Sequence, residues 1–182
     1  MMNRSIPLVT VASALLALLP TVASAAMTVP AVDATFAKKA AQAGMTEVKL
    51  SVIAERKSKN PAVLSFAREM NADHSKANAE LTSIVEAKGL QPPTGVGAHN
   101  AALISRLEGE SGATFDADYL KSQLPAHRKV LALFKSEAAT GNDPELMAFA
   151  KQTIPVLEHH IAMDRRDSTR LGAIGMQMPT SK

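Results

Sequence analysis

Four segments of this chain repeat apolar residues every three or four positions, and one ionisable residue interrupts each repeat near its middle. This spacing is typical of an amphipathic α-helix, because positions three and four apart lie on one helix face. The interrupting residues, one per segment, are Glu47, His74, His127 and His160. Burying such groups is costly unless they find partners. The pattern therefore predicts an all-α bundle with four polar groups in its core.

Capping and turn residues predict where the helices begin and end. The four expected long helices cover residues 33–57, 61–88, 114–139 and 144–171, and a short extra helix covers residues 100–108. Asp33, Asn60 and Asp143 are the expected N-caps, while Gly89 and Gly172 are expected just beyond the ends of the second and fourth long helices.

The connection between the second and third long helices decides the topology. It spans about 25 residues, whereas neighbouring antiparallel helices are joined by about 2–8 residues. A helix of about 25 residues is about 38 Å long, so this connection can return along the whole bundle. We therefore predict a ferritin-like four-helix bundle, in which a long crossover carries the short helix and the second and third long helices run parallel. A simple up-down-up-down bundle with a decorated loop is the alternative.

The N-terminus predicts export. Residues 1–5 include Arg4, residues 6–19 are apolar, and Ala23-Ser24-Ala25 matches a small-x-small cleavage site. We expect a signal peptide over residues 1–25 with cleavage after Ala25, and a periplasmic or secreted mature protein. The domain is expected over residues 26–172, followed by a flexible tail over residues 173–182. The apolar run is too short for a membrane span, and no span is expected in the mature form.

Composition limits the partners. The chain contains no cysteine, so its stability must come from its core. It contains 20 Lys+Arg and 17 Asp+Glu, and losing Arg4 lowers the formal charge from +3 to +2. This balance, with 3% aromatic residues, argues against binding to nucleic acid. A second copy of the chain or another envelope protein is the partner class that stays open.

Three imidazoles and one carboxylate form a donor set suited to one transition metal ion, namely Zn, Cu or Fe. Counted from the turns, Glu47 and His74 differ by about 4.5 Å in height, and His127 and His160 by about 7.5 Å. Asp73 could accept a hydrogen bond from a ligand on a neighbouring helix. The alternative is a layer of hydrogen-bonded polar side chains that sets the helix register without a metal.

Residues close to the predicted site leave two questions open. Glu158 or His159 would enter the core in place of His160 if the helix phase were wrong by one residue. Pro125 and Pro155 lie inside predicted helices, where proline removes a backbone hydrogen bond. Each proline either opens the bundle around the site or bends its helix for better packing.

Five short motifs, taken in order, resemble one bacterial family. They are Gly44–Leu50, Phe66–Met70 with Asp73-His74, Phe115-Asp116 with Tyr119, His127, and Ile154–Leu157 with His160-Ile161. The chain from Thr35 to Arg170 resembles the exported family named domain of unknown function 4142. The resemblance implies a ferritin-like fold, leaves the activity open, and matches the family pattern at Glu47, Asp73, His74, His127 and His160.

Ferritin-like di-iron proteins carry a Glu-x-x-His pair on each of two helices. Here Ala72 stands three residues after Glu69, and Ile161 three residues after Glu158. A mononuclear site therefore fits better than a dinuclear iron centre. Two functions compete: a periplasmic metal-binding bundle, and a non-catalytic envelope interaction or structural module with a polar core layer. The sequence shows neither a nucleophile paired with a base nor a cofactor-binding loop, so nothing in it points to an enzyme.

Overall fold

A computed structural model describes residues 29–177, and the side chains of residues 29–170, with helices as the regular elements of that range. The helices α1 to α5 are Ala31–Lys57, Pro61–Ala87, Ala98–Glu108, Gly112–Thr140 and Pro144–Gln177. The all-α prediction is confirmed. The predicted signal peptide and residues 178–182 of the predicted tail lie outside the described residues. Within residues 29–177, no helix has both the length and the apolar character that a membrane span requires.

The long helices pack in the cyclic order α1, α2, α5, α4, so that each contacts two others. The start of α1 meets the end of α4, where the rings of Phe36 and Phe134 lie 5.0 Å apart. The end of α2 meets the start of α5, where Lys88 Nζ lies 2.8 Å from Asp143 Oδ2. Consequently α1 and α4 are antiparallel, α2 and α5 are antiparallel, and α2 and α4 run in the same direction.

Two of the predicted N-caps are confirmed by hydrogen bonds. The Asn60 side chain accepts a hydrogen bond from the backbone N–H of Ala62 at 2.9 Å. The Asp143 carboxylate accepts from the backbone N–H groups of Glu145 and Leu146 at 3.0 and 3.1 Å. Gly89 follows α2 with a φ of 72°, a value that favours glycine. The sequence therefore predicts these helix ends well.

Two predicted helix ends are wrong. α1 begins at Ala31 with Pro30 as N-cap, and Asp33 lies fully buried inside the first turn, where its Oδ1 accepts a hydrogen bond from the backbone N–H of Asn142. α5 continues through Gly172 to Gln177. Glycine costs about 1 kcal/mol in a helix interior relative to alanine, which neighbouring residues can offset.

The core consists of two apolar blocks with a polar layer between them. The block near the end of α1 includes Phe66, Leu107, Phe115 and Tyr119, and the block near the start of α1 includes Phe36, Phe134, Phe149 and Leu157. α3 covers the first block through Leu107. Burial of these side chains supplies the main driving force for folding, and it keeps the layer between them away from solvent.

α1 and α2 approach closely at the level of this layer. A Cβ atom on Gly44 would lie 1.9 Å from the Asn78 side-chain oxygen. Gly44 is three residues before Glu47, and Asn78 is four residues after His74. The absence of a side chain at Gly44 therefore lets the helices that carry Glu47 and His74 come together.

Candidate metal centre

Three imidazoles from three helices converge in the polar layer. They belong to His74 on α2, His127 on α4 and His160 on α5, and one ligand nitrogen from each lies within 4.8 Å of the other two. The ring centroids are 5.2 to 5.5 Å apart, and all three residues are buried. Nε2 of His74 and Nε2 of His127 are 3.4 Å apart. Two nitrogens bound to one tetrahedral ion at ordinary distances would be about 3.3 Å apart.

A backbone carbonyl orients His127. Its Nδ1 lies 3.1 Å from the carbonyl oxygen of Gln123, one helical turn earlier. Because a carbonyl can only accept a hydrogen bond, this contact places the proton on Nδ1 and the lone pair on Nε2. The free lone pair therefore belongs to the nitrogen that faces His74.

A carboxylate orients His160 in the same way. Its Nε2 donates to Asp73 Oδ2 at 3.0 Å, which leaves the lone pair on Nδ1. This Nδ1 is buried and forms no hydrogen bond with residues 29–170. Asp73 thus makes the kind of contact expected from its position, with a histidine on a neighbouring helix.

Burial favours the neutral form of two of these imidazoles, those of His74 and His160. It lowers the pKa of His74 well below its usual value, and the nearby His127 and His160 lower it further. It also lowers the pKa of His160 to about 4, although the Asp73 carboxylate acts in the opposite direction. Neutral rings keep a lone pair for a metal ion at physiological pH.

Glu47, the fourth predicted ligand, is buried near His74 and His127. Among the described residues, the group with ligand atoms within 4.8 Å contains the histidines without Glu47. Glu47 instead lines a cavity of about 20 Å³ together with His74 and His127, which is room for about one water molecule. Burial raises the pKa of its carboxyl group, whereas His127 and the Gln123 amide lower it.

The residues next to His160 stay outside the core, so the predicted helix phase is correct. Glu158 is exposed and pairs with Lys135 at 2.7 Å. His159 is exposed and its Nε2 lies 2.9 Å from Glu69 Oε1. These two contacts join neighbouring helices at the surface without touching the imidazole group.

Residues 18–166 match the family described as Domain of unknown function (DUF4142). The chain belongs to the DUF4142 family. Its structure is also similar to the "Crystal structure of DUF305 fragment from Deinococcus radiodurans", with a TM-score of 0.68 and 15% sequence identity over 80% of this chain and 98% of that chain. At that identity the similarity concerns the fold alone. No curated protein matches the sequence.

The DUF4142 chain also buries polar residues that the sequence analysis misses. They are Ser51, Tyr119, Gln123 and Asp164, each at most 1% exposed. Ser51, Gln123 and Asp164 lie four residues from Glu47, His127 and His160, respectively. These three residues share a helix face with the ionisable residue one turn away, but a polar residue at such a position gives no apolar signal that the sequence pattern could detect.

Burial strongly affects the ionisation of this second set. It raises the pKa of Asp164 to about 6, an effect that His127 opposes. It also raises the pKa of Tyr119, and the charges of Glu47 and Asp164 add to this increase. The DUF4142 protein therefore holds a layer of oxygen-bearing side chains in direct continuity with its imidazoles.

Proposed function

We propose that this protein is an exported, ferritin-like four-helix bundle that binds one transition metal ion through His74, His127 and His160. The observation that supports it is the convergence of three buried imidazoles with their ligand nitrogens within 4.8 Å. Imidazole suits Zn, Cu and Fe. The protein would act in metal handling within the cell envelope.

The hydrogen bonds of the rings support this proposal. The Gln123 carbonyl and the Asp73 carboxylate each accept a hydrogen bond from one ring N–H, which leaves a lone pair on the other ring nitrogen of His127 and of His160. Such contacts are typical of metal-binding histidines, because they fix the tautomer and raise the basicity of the ligand. Asp73 and Glu47 also contribute negative charge that would offset the charge of the ion.

The cavity bordered by Glu47, His74 and His127 suits a fourth ligand. At about 20 Å³ it has room for about one water molecule. Three protein ligands and one water are the usual set of an ion with an open position, whereas purely structural zinc sites are closed by four protein ligands. Exchange of that water would make the ion accessible to small molecules.

Metal analysis of the protein tests the proposal. We expect the natively purified wild type to contain about one equivalent of transition metal, and the double variant His74→Ala, His127→Ala to contain almost none. His159→Ala is the matched control, because this exposed histidine on the same helix as His160 lies outside the group. Wild type without metal, or a double variant with an unchanged metal content, would contradict the proposal.

A second candidate function is a non-catalytic envelope module whose rings satisfy one another. The 3.4 Å separation of the two Nε2 atoms of His74 and His127 favours it, because a proton on His74 would make this a hydrogen bond. Such a polar layer sets helix register without an ion. It predicts a melting temperature that is insensitive to chelators and to added metals, whereas a bound ion predicts a decrease with chelator.

A further inference from the structure

The buried polar residues next to the imidazoles occupy one side of them. α1 and α5 run in the same direction, and α4 runs in the opposite direction. Ser51 follows Glu47 by four residues, Asp164 follows His160 by four, and Gln123 precedes His127 by four. All three therefore lie one turn, about 6 Å, toward the end of α1. We call Glu47, Ser51, Tyr119, Gln123 and Asp164 the oxygen cluster.

The oxygen cluster is buried, and several of its polar atoms lack hydrogen-bond partners among the described residues. Ser51, Tyr119 and Gln123 are 0% exposed, and Asp164 is 1% exposed. Six of its atoms form no hydrogen bond within the described part of the chain: Glu47 Oε2, Ser51 Oγ, the Tyr119 hydroxyl, Gln123 Oε1 and Nε2, and Asp164 Oδ2. Buried polar groups in folded proteins are nearly always paired, so this concentration is a place where a bound ion or an ordered water would supply the missing partners.

These groups also lie close to one another. Asp164 feels the charge of Glu47 and that of His127, and Glu47 also feels the charge of His127, although the three residues come from different helices. The Tyr119 hydroxyl is next to Ser51 and feels both carboxylates. The Gln123 side chain is next to the Glu47 carboxylate. The cluster therefore forms one shared site instead of a scatter of separate polar residues.

We propose that the oxygen cluster binds a divalent cation of the oxygen-preferring class, such as Mn²⁺ or Mg²⁺, separately from the imidazole site. Two carboxylates balance the charge of the ion. Ser51, Tyr119 and the Gln123 carbonyl supply neutral oxygens. Carboxylate, carbonyl and hydroxyl oxygens suit these hard cations, whereas imidazoles suit softer ones. The layer thus pairs two sites of different preference, and Glu47 borders both.

Mn²⁺ titration of the intact, metal-free protein tests this proposal, with free Mn²⁺ measured by electron paramagnetic resonance. We expect the wild type to bind one Mn²⁺. We expect Asp164→Asn to weaken this binding at least tenfold, and Glu47→Gln to do the same. Both amides keep the size of the side chain and remove a buried charge, so folding is retained, as circular dichroism checks. Tyr119→Phe removes one neutral oxygen and gives a smaller loss.

Two controls separate this site from others. Glu137→Gln removes a buried carboxylate at the opposite end of the bundle and should leave Mn²⁺ binding unchanged. His74→Ala should remove Zn²⁺ binding at the imidazoles and leave Mn²⁺ binding in place, so that the two proposals fail independently. A folded wild type that binds no Mn²⁺, full binding by Asp164→Asn, or an equal loss in Glu137→Gln would overturn the inference.

Discussion

Asp73 determines which nitrogen of His160 is free, because its carboxylate accepts a hydrogen bond from the Nε2–H group. We expect Asp73→Ala to lower the affinity for the transition metal about 10- to 100-fold, with the stoichiometry unchanged, since the ring loses its fixed tautomer and orientation. Competition with a coloured chelator measures this affinity. Glu69→Ala is the matched control, because Glu69 contacts the exposed His159 on the same pair of helices. Equal losses in both variants would contradict a specific role for Asp73.

Glu137, on α4 beside the start of α1, makes the stability of the folded protein depend on pH. Burial raises the pKa of its carboxyl group to about 7 from a usual value of 4.5, and the neighbouring Asp33 and Asp143 add to the increase. The folded protein therefore holds a proton that the unfolded chain releases. The contribution of this bound proton to the free energy of unfolding is fully present below about pH 4.5 and is lost as the pH rises through about 7.

We therefore expect Glu137→Gln to raise the melting temperature at pH 8 more than at pH 5, by a few degrees. Thermal unfolding of both proteins at these pH values measures the difference. Burial lowers the pKa values of His74 and His160, so the contribution of these histidines to stability increases with pH. Because both proteins share that contribution, the difference between their melting temperatures isolates Glu137. An identical difference at the two pH values would show that Glu137 is not the group responsible.

The sequence predicts individual site residues only where they stand out from an apolar stripe. The three histidines and Glu47 do so, and they are buried as expected. On α4 the apolar repeat of Leu120, Leu124 and Leu131 predicts that Leu124 is buried, whereas the structure buries Gln123 completely and leaves Leu124 partly exposed. A rule that expects apolar residues in the core cannot select glutamine over leucine, so the oxygen cluster is not predicted.

At the scale of a helix, Pro125 lies in the same turn of α4 that joins His127 Nδ1 to the Gln123 carbonyl. Pro125→Ala restores a backbone hydrogen bond to Lys121 and should stabilise the protein by about 1–3 kcal/mol. It should also lower metal affinity, because a regular turn changes the position of the Gln123 carbonyl. Chemical denaturation and metal titration measure the two effects.

Pro155→Ala is the control for that prediction. Pro155 lies inside α5, five residues before His160, whose ring is held by the Asp73 side chain instead of a backbone carbonyl. This variant should gain stability without losing metal affinity. A loss of affinity in Pro155→Ala equal to that in Pro125→Ala would show that the effect comes from bundle packing and not from the turn around Gln123.

Helix boundaries follow from the sequence where a side chain or a positive φ determines them, as at Asn60, Gly89 and Asp143. Helix boundaries do not follow from the sequence where a residue type common at helix ends is present but the helix continues through it. Gly172 is such a position, since α5 continues past it to Gln177. Asp33 is another, because its carboxylate bonds to Asn142, a partner 109 residues away that no local rule could identify.

At the scale of the whole molecule, the sequence does not determine the relative height of the two helical hairpins, α1–α2 and α4–α5. Turn lengths place Glu47 near His74 and His127 near His160, but residues 88–111 connect the hairpins and could accommodate many relative heights. The height is set by tertiary contacts such as the ion pair of Lys88 with Asp143 and the Phe36–Phe134 ring pair. The convergence of all three imidazoles is therefore a result of the structure.

The predicted signal peptide can be tested directly. We expect expression of residues 1–182 in a Gram-negative host to yield a periplasmic product that begins at Ala26 and contains residues 26–182. Fractionation followed by intact mass measurement tests this. A substitution of Ala25 by a bulky residue should leave the precursor uncleaved. A cytoplasmic product that retains residues 1–25 would contradict the predicted localisation.

The three imidazoles come from α2 in one hairpin and from α4 and α5 in the other. Neither hairpin alone can offer all three nitrogens, so the proposed ion would bind with full strength only after the hairpins have docked. A chain that is secreted unfolded would acquire its ion outside the cytoplasm. Which element it carries would then reflect local supply at the moment of docking, instead of the intrinsic ranking of metal affinities.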